Sequence, residues 1–110
     1  MSDPADFLPD VGSIDRVIHE PVRLLLMAHL FVVESADFLY LMNQLGLTFG
    51  NLSSHMTRLE EAGYITVEKE FVDKKPVTRL SLTGSGRAAF EDYRERMRHL
   101  FVGARAMRPD

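Results

Sequence analysis

The chain has 110 residues, of which 45% are apolar and 26% charged, and a formal net charge of −3. That length and composition fit one ordinary globular domain. It contains no cysteine, which excludes a disulfide scaffold, a cysteine–zinc site and a thiol nucleophile.

Residues 1–12, "MSDPADFLPDVG", read as a flexible arm. They are acidic and broken by proline, whereas a signal peptide needs a positive start and an apolar run. Ser13 is placed to cap a short helix through about His19. Pro21 suits the first turn of a second helix, where its missing N–H does no harm. Leu24, Leu25, Met27, Ala28, Leu30 and Phe31 make that helix apolar on most sides, so it belongs at the centre of the fold. Its longest apolar run, "LLLMAHLFVV", falls short of the roughly 18 residues of a membrane span. A cytoplasmic protein with no membrane partner is expected.

"VES" is at most a strand fragment. A third helix follows, capped by Ser35 or Asp37, with Phe38, Leu41, Met42 and Leu45 as its buried stripe and Gly46 as its left-handed end. Thr48 caps a fourth helix to about Ala62, and Gly63 stops it. The period then changes from helical to alternating. "YITVEKEFV" and "PVTRLSL" form a hairpin around the polar tip "DKK", with Tyr64 or Ile65, Val67 and Phe71 on the covered face. The tip lacks Asn-Gly or Asp-Gly, which leaves its turn type open. Thr83 caps a last helix to about Met107.

Helix–turn–helix followed by a hairpin is the winged-helix order: mainly α with a small β-hairpin, an α+β fold. The domain division is an arm (1–12), a winged-helix DNA-binding core (13–83) and a C-terminal dimerisation helix (84–110) within one domain. The residues carry a family likeness too. "LGLTFGNLSSHMTRLEEAGYITVEKEFVDKKPVTRLSLTGSGRAAF" resembles the DNA-binding core of bacterial and archaeal winged-helix regulators of the MarR and ArsR type. It is most similar to the small winged-helix DNA-binding domain branch, whose members add one long C-terminal helix. The matching patterns, "LGLT.GNLSSH...LE.AGY" and "K.F....P.T...LT..GR.AF", lie between about Asp37 and Phe90. The resemblance implies a transcriptional regulator whose partner is double-stranded DNA.

The fourth helix has a chemistry of its own. With Leu52, Met56 and Leu59 buried, steps of about 100° turn Gly50, Ser54, Thr57 and Glu61 outward, flanked by Ser53 and Arg58. Short hydrogen-bonding groups there can approach base edges and phosphates, and the second helix of a helix–turn–helix enters the major groove with its N-terminal residues foremost. Gly50 lets a phosphate come close. The first-turn amides near Thr48 to Asn51 add partial positive charge. The Asn51 amide can donate to and accept from an adenine edge at once. His55 lies at the edge of the buried stripe and suits a bond to a neighbouring element. In the wing, Lys74 and Lys75 can reach phosphate or the minor groove, and Arg79 can line the same surface. Solvated lysines guarding a strand edge are the plainer alternative.

A net charge of −3 argues against a nucleic-acid partner, but its distribution weakens that objection. Residues 1–20 hold Asp3, Asp6, Asp10, Asp15 and Glu20 against Arg16 alone, and the other ninety hold eleven acids and twelve bases. A local basic face suffices for phosphate binding. The near-neutral body keeps a second reading open, a winged-helix module for protein–protein assembly without DNA.

Along the last helix Phe90, Tyr93, Met97, Leu100, Ala104 and Met107 recur at spacings of 3 and 4. This heptad seam is expected to join two copies as a homodimer; folding back on the first helices is the alternative. Arg94, Arg96 and Arg98 should face outward. No enzyme is expected. There is no glycine-rich phosphate loop, GxSxG or HExxH, and His19, His29, His55 and His99 have no chelating spacing. No cofactor or metal is implied, and a small-molecule effector is neither implied nor excluded.

Overall fold

In the computed structural model, residues 10–106 are described. The elements run α1 (Pro21–Val33), β1 (Ser35–Asp37), α2 (Phe38–Leu45), α3 (Phe49–Glu61), β2 (Ile65–Val72), β3 (Lys75–Leu82) and α4 (Gly84–Ala106). Most of the arm, residues 1–9, and the end of the seam at Met107 lie outside the described residues.

The helix expected from Ser13 to His19 does not form. Val11–Ser13 is a single 3-10 turn, and the Ser13 hydroxyl donates to the Asp10 carbonyl. The next turn is held by Asp15, whose carboxylate accepts from the amides of Val17 at 2.9 Å and Ile18 at 3.2 Å. Ile14 is extended (φ −82°, ψ 126°) and the Asp15 side chain takes the Val17 and Ile18 amides, so the stretch closes only local turns, and Pro21 then holds Glu20 extended (φ −151°, ψ 134°). Glu20 then caps α1 with both carboxylate oxygens, accepting from the amides of Val22 and Arg23.

α1 lies at the centre, with Leu26, Met27 and Leu30 fully buried. It is less enclosed than its composition suggests, since Leu25 and Val32 stay exposed. Asp37 caps α2 through the amide of Leu39, and Phe38 and Leu41 are buried. Gly46 ends α2 with φ 65°, a backbone conformation that only glycine adopts without strain. Thr48 accepts from the Asn51 amide to open α3.

The sheet has three antiparallel strands in the order β1-β3-β2 rather than two, because Ser35–Asp37 adds to β3 with Ala36 opposite Leu80. β2 and β3 pair from Ile65↔Leu82 to Val72↔Lys75. The tip is therefore only Asp73 and Lys74, and Lys75 is already strand. Both tip residues have positive φ, 51° and 66°. This is the left-handed pair of a two-residue hairpin turn, formed without glycine. Ile65 is buried and Val67 packs on the core, as the alternation implies. Phe71 is not covered: it is 78% exposed, because the wing has already run past the helices at that point.

Gly86 shows how closely α4 joins the sheet. A Cβ at this position would come within 2.1 Å of the Tyr64 carbonyl oxygen and 2.9 Å of a Leu82 methyl, whereas one at Gly84 would meet nothing within 4 Å. Gly86→Ala is therefore expected to destabilise the fold by about 1–3 kcal/mol, as overpacking does. Gly84→Ala should be neutral or slightly stabilising. Urea midpoints of the two variants check this, and equal midpoints would contradict the close approach.

Candidate nucleic-acid interface

Leu52 and Leu59 are fully buried and Met56 packs beside them, which fixes the rotation of α3. Gly50, Asn51, Ser54, Thr57, Arg58 and Glu61 are exposed, and Ser53 is half-buried. The first turn of a helix leaves amide groups without intrahelical partners. Of these, the Asn51 amide is taken by Thr48. The Thr57 hydroxyl donates to the Ser53 carbonyl at 3.0 Å, so it faces outward chiefly as an acceptor. Arg58 makes no salt bridge among the described residues.

The back of α3 is tied to the start of α1. His55 Nδ1 lies 3.1 Å from the Arg23 guanidinium and 3.4 Å from the Glu20 carboxylate. Arg23 also donates to the Val17 carbonyl. Thus His55 bonds a neighbouring element. Burial alone would raise the Glu20 pKa, but the amides of Arg23 and Val22 and the charges of His55 and Arg23 outweigh it and hold the carboxyl below its ordinary value. Tyr64 donates to the Asp15 carboxylate, and burial together with that bond pushes its pKa up to about 12.

The wing carries Lys74 and Lys75 exposed at and beside its tip. Arg79 lies further back and is engaged, its Nε donating to Glu70 at 2.7 Å. By strand alternation Arg79 shares a face with Glu68 and Asp37, its partners across the sheet. The opposite face, continuous with buried Ile65, Val67 and Leu80, carries Lys69 and Phe71 out along the wing.

The seam on α4 divides in two. Phe90 and Tyr93 are buried in the chain's own core, Phe90 against Phe31 with ring centroids 5.1 Å apart and Tyr93 bonded to His19 at 2.7 Å. Met97 packs partly on that core, Leu100 is half-buried and Ala104 is exposed. Arg96 and Arg98 bond acids of their own helix, Asp92 and Glu95, while Arg94 lies over the Phe31 ring. Between α1 and α4 an open hollow of about 500 Å³ is lined by Leu24, Tyr93, Met97 and Phe101.

Residues 22–101 match the family described as the winged helix DNA-binding domain. The chain belongs to that family. An uncharacterized protein of Methanocaldococcus jannaschii is 35% identical over 78 residues, covering 71% of this chain and 85% of that protein. The structure of a transcriptional regulator homologue from Pyrococcus horikoshii OT3 superposes with a TM-score of 0.78 at 29% identity, over 82% of this chain and 89% of that one. NadR, solved in complex with 4-hydroxyphenylacetate, has a TM-score of 0.64 at 25% identity, over 83% of this chain but 60% of NadR.

Three features of this winged helix were not singled out from the sequence. Phe49, the first residue of α3, is 64% exposed with its ring 4.9 Å from that of Phe38. Lys69 falls in the family pattern "K.F....P.T", as Thr78 does, but the pattern alone does not mark it as a site residue. Phe101 was missed because it stands one position beside Leu100 in the heptad pattern, although it is four residues from Met97. Among the described residues no group of His, Cys, Asp and Glu could hold a metal, and no helix is long and apolar enough to cross a membrane.

The Glu20 carboxyl gives a pH test of the tie between α1 and α3. Its folded pKa lies below the unfolded value, so its contribution is full at neutral pH and is lost as the pH falls through the folded value. Glu20→Ala should lower stability by about 1 kcal/mol at pH 7, the usual worth of such a cap. The gap to wild type should close as the pH falls below the ordinary glutamate value and the carboxyl protonates. Urea unfolding at both pH values measures the gap, and one that stays constant would contradict the assignment.

Proposed function

We propose that this winged helix is a sequence-specific transcriptional regulator that binds double-stranded DNA as a homodimer, with α3 in the major groove and the wing on the backbone or minor groove. The observation that carries the reading is the outward face of α3. It is uncovered and rich in short hydrogen-bonding groups, and Phe49 at its start lines one hollow with Lys69 and Pro76 of the wing. Family membership and the likeness to the Pyrococcus regulator homologue support it. In this reading Asn51 reads a base edge, Thr48, Gly50, Ser53, Ser54, Thr57 and Arg58 supply phosphate and edge contacts, and Lys74, Lys75 and Arg79 serve the backbone.

The dimer rests on α4. Its second half extends past the chain's own core, and Phe101 and Val102 remain 68% and 46% exposed. The hollow beside Met97 and Leu24 is open to receive a partner's apolar side chains. Leu100 and Ala104 continue the same seam, while Phe90 and Tyr93 anchor it in the protomer.

Two sets of variants test the division of labour. Asn51→Ala should leave the dimer intact and relax base preference at one position by about 1–3 kcal/mol. Lys74→Ala with Lys75→Ala should weaken specific and random DNA alike and flatten the salt dependence by about 0.9 per lost phosphate contact. Unchanged sequence preference in the Asn51 variant would favour the assembly module over the DNA reader.

Phe101→Glu probes the seam, because Phe101 is exposed within the protomer and its loss should not unfold the chain. Sedimentation should show monomers, and DNA affinity should drop about 100-fold or more as two half-site contacts cease to act together. A variant that stays dimeric with undiminished affinity would contradict the seam.

A further inference from the structure

We propose that the hollow between the first turn of α3 and the wing seats one sugar–phosphate strand of the duplex, with Lys69 as its phosphate partner and Phe49 as its apolar wall. This rests on the reading that α3 enters the major groove and the wing reaches the neighbouring minor groove. Those two grooves are separated by a single sugar–phosphate strand. A protein that enters both must leave room for that strand between its two entering elements.

The hollow has a volume of about 330 Å³, and Asp37, Phe38, Phe49, Lys69, Pro76 and Thr78 are among the residues that line it. Its chemistry is mixed in the way that a sugar–phosphate strand is mixed. Lys69 is exposed, pairs with Thr78 across β2 and β3, and makes no salt bridge among the described residues. An ammonium and a hydroxyl thus stand side by side. The acids of the wing strands, Glu68 and Glu70, fall on the other face by alternation, and Glu70 is taken by Arg79. Asp37 is the one acid among the lining residues. Its carboxylate accepts from the Leu39 amide, and by alternation Asp37 belongs to the Arg79 face of the sheet, opposite that of Lys69.

Phe49 supplies the apolar part. An exposed aromatic ring at the first position of a helix contributes little to folding, yet this one is held in place against Phe38. A fixed ring can pack on the apolar face of a deoxyribose. Both contacts are blind to base sequence and would set the register of α3 in the groove.

The test uses a DNA site obtained by selection with the wild-type protein, made as a series of duplexes in which one phosphate at a time is a neutral methylphosphonate. Wild type should lose about tenfold in affinity at one phosphate of each half-site, lying between the base pairs protected by α3 and the minor groove protected by the wing. Lys69→Gln should bind the native duplex more weakly and lose nothing further at that phosphate. Its salt slope should fall by about 0.9 per half-site, with its selected sequence unchanged. Lys69→Arg should restore the wild-type profile. Phe49→Ser, in protein shown by its urea transition to be folded, should weaken every sequence by the same factor. An unchanged slope and methylphosphonate profile in Lys69→Gln would overturn the seat while leaving the major-groove reading standing. A changed sequence preference in Phe49→Ser would make the ring a base reader and overturn its place as a wall. A wild type that selects no sequence would overturn the major-groove reading, and the seat with it.

Discussion

Leu52 and Leu59 stand two turns apart on α3, and both sink fully into the core that Leu26, Met27 and Leu30 of α1 share with Ile65 and Leu80 of the sheet. Truncating either leucine to alanine in such a setting costs about 2–5 kcal/mol, so the rotation of α3 is firmly held. The exposure of Asn51, Ser54, Thr57 and Arg58 follows from that rotation. So does the inward turn of His55 toward Glu20 and Arg23. The small polar residues on the outward face do nothing for the core, and their cost in helix propensity is borne by the packing behind them.

The remainder of the fold positions this face. Gly63 turns the chain from α3 into β2, and Lys69 and Pro76 of the wing line one hollow with Phe49 at the start of α3. The third strand, Ser35–Asp37, ties the α1–α2 junction to β3 and fixes where α2 begins. At the other end α4 carries the molecule outward. The radius of gyration is 17.0 Å, against about 13 Å for a compact domain of this length. The overall extents are 64 × 25 × 21 Å, the shape of a reading head on a long shaft.

Much of this was legible in the sequence because the signals were strong and local. Asp37, Thr48 and Thr83 cap the helices expected of them, and Gly46 and Gly63 mark the two helix ends around the turn and the wing. The period switch at Tyr64 located the hairpin. What failed depended on context beyond the local pattern. Ser13 looked like a cap, but the Asp15 side chain captures the amides of Val17 and Ile18 in a local turn. Phe71 obeyed the alternation of a covered face, but alternation does not say where the covering helices end. Phe90 and Tyr93 fit a heptad as well as they fit the core, and spacing alone does not tell which chain fills the hollow beside them. Lys69 falls in the family pattern, but the pattern does not show that Phe49, twenty residues away in sequence, lines the same hollow.

The central claim is that two copies of the α3 face, related by two-fold symmetry, recognise DNA. Selection of bound fragments from random duplex DNA by the wild-type protein tests it most directly. The account predicts enrichment of an inverted repeat whose half-sites lie about one helical turn, roughly 10 base pairs, apart. Recovery of no common sequence, or of one without two-fold symmetry, would contradict it.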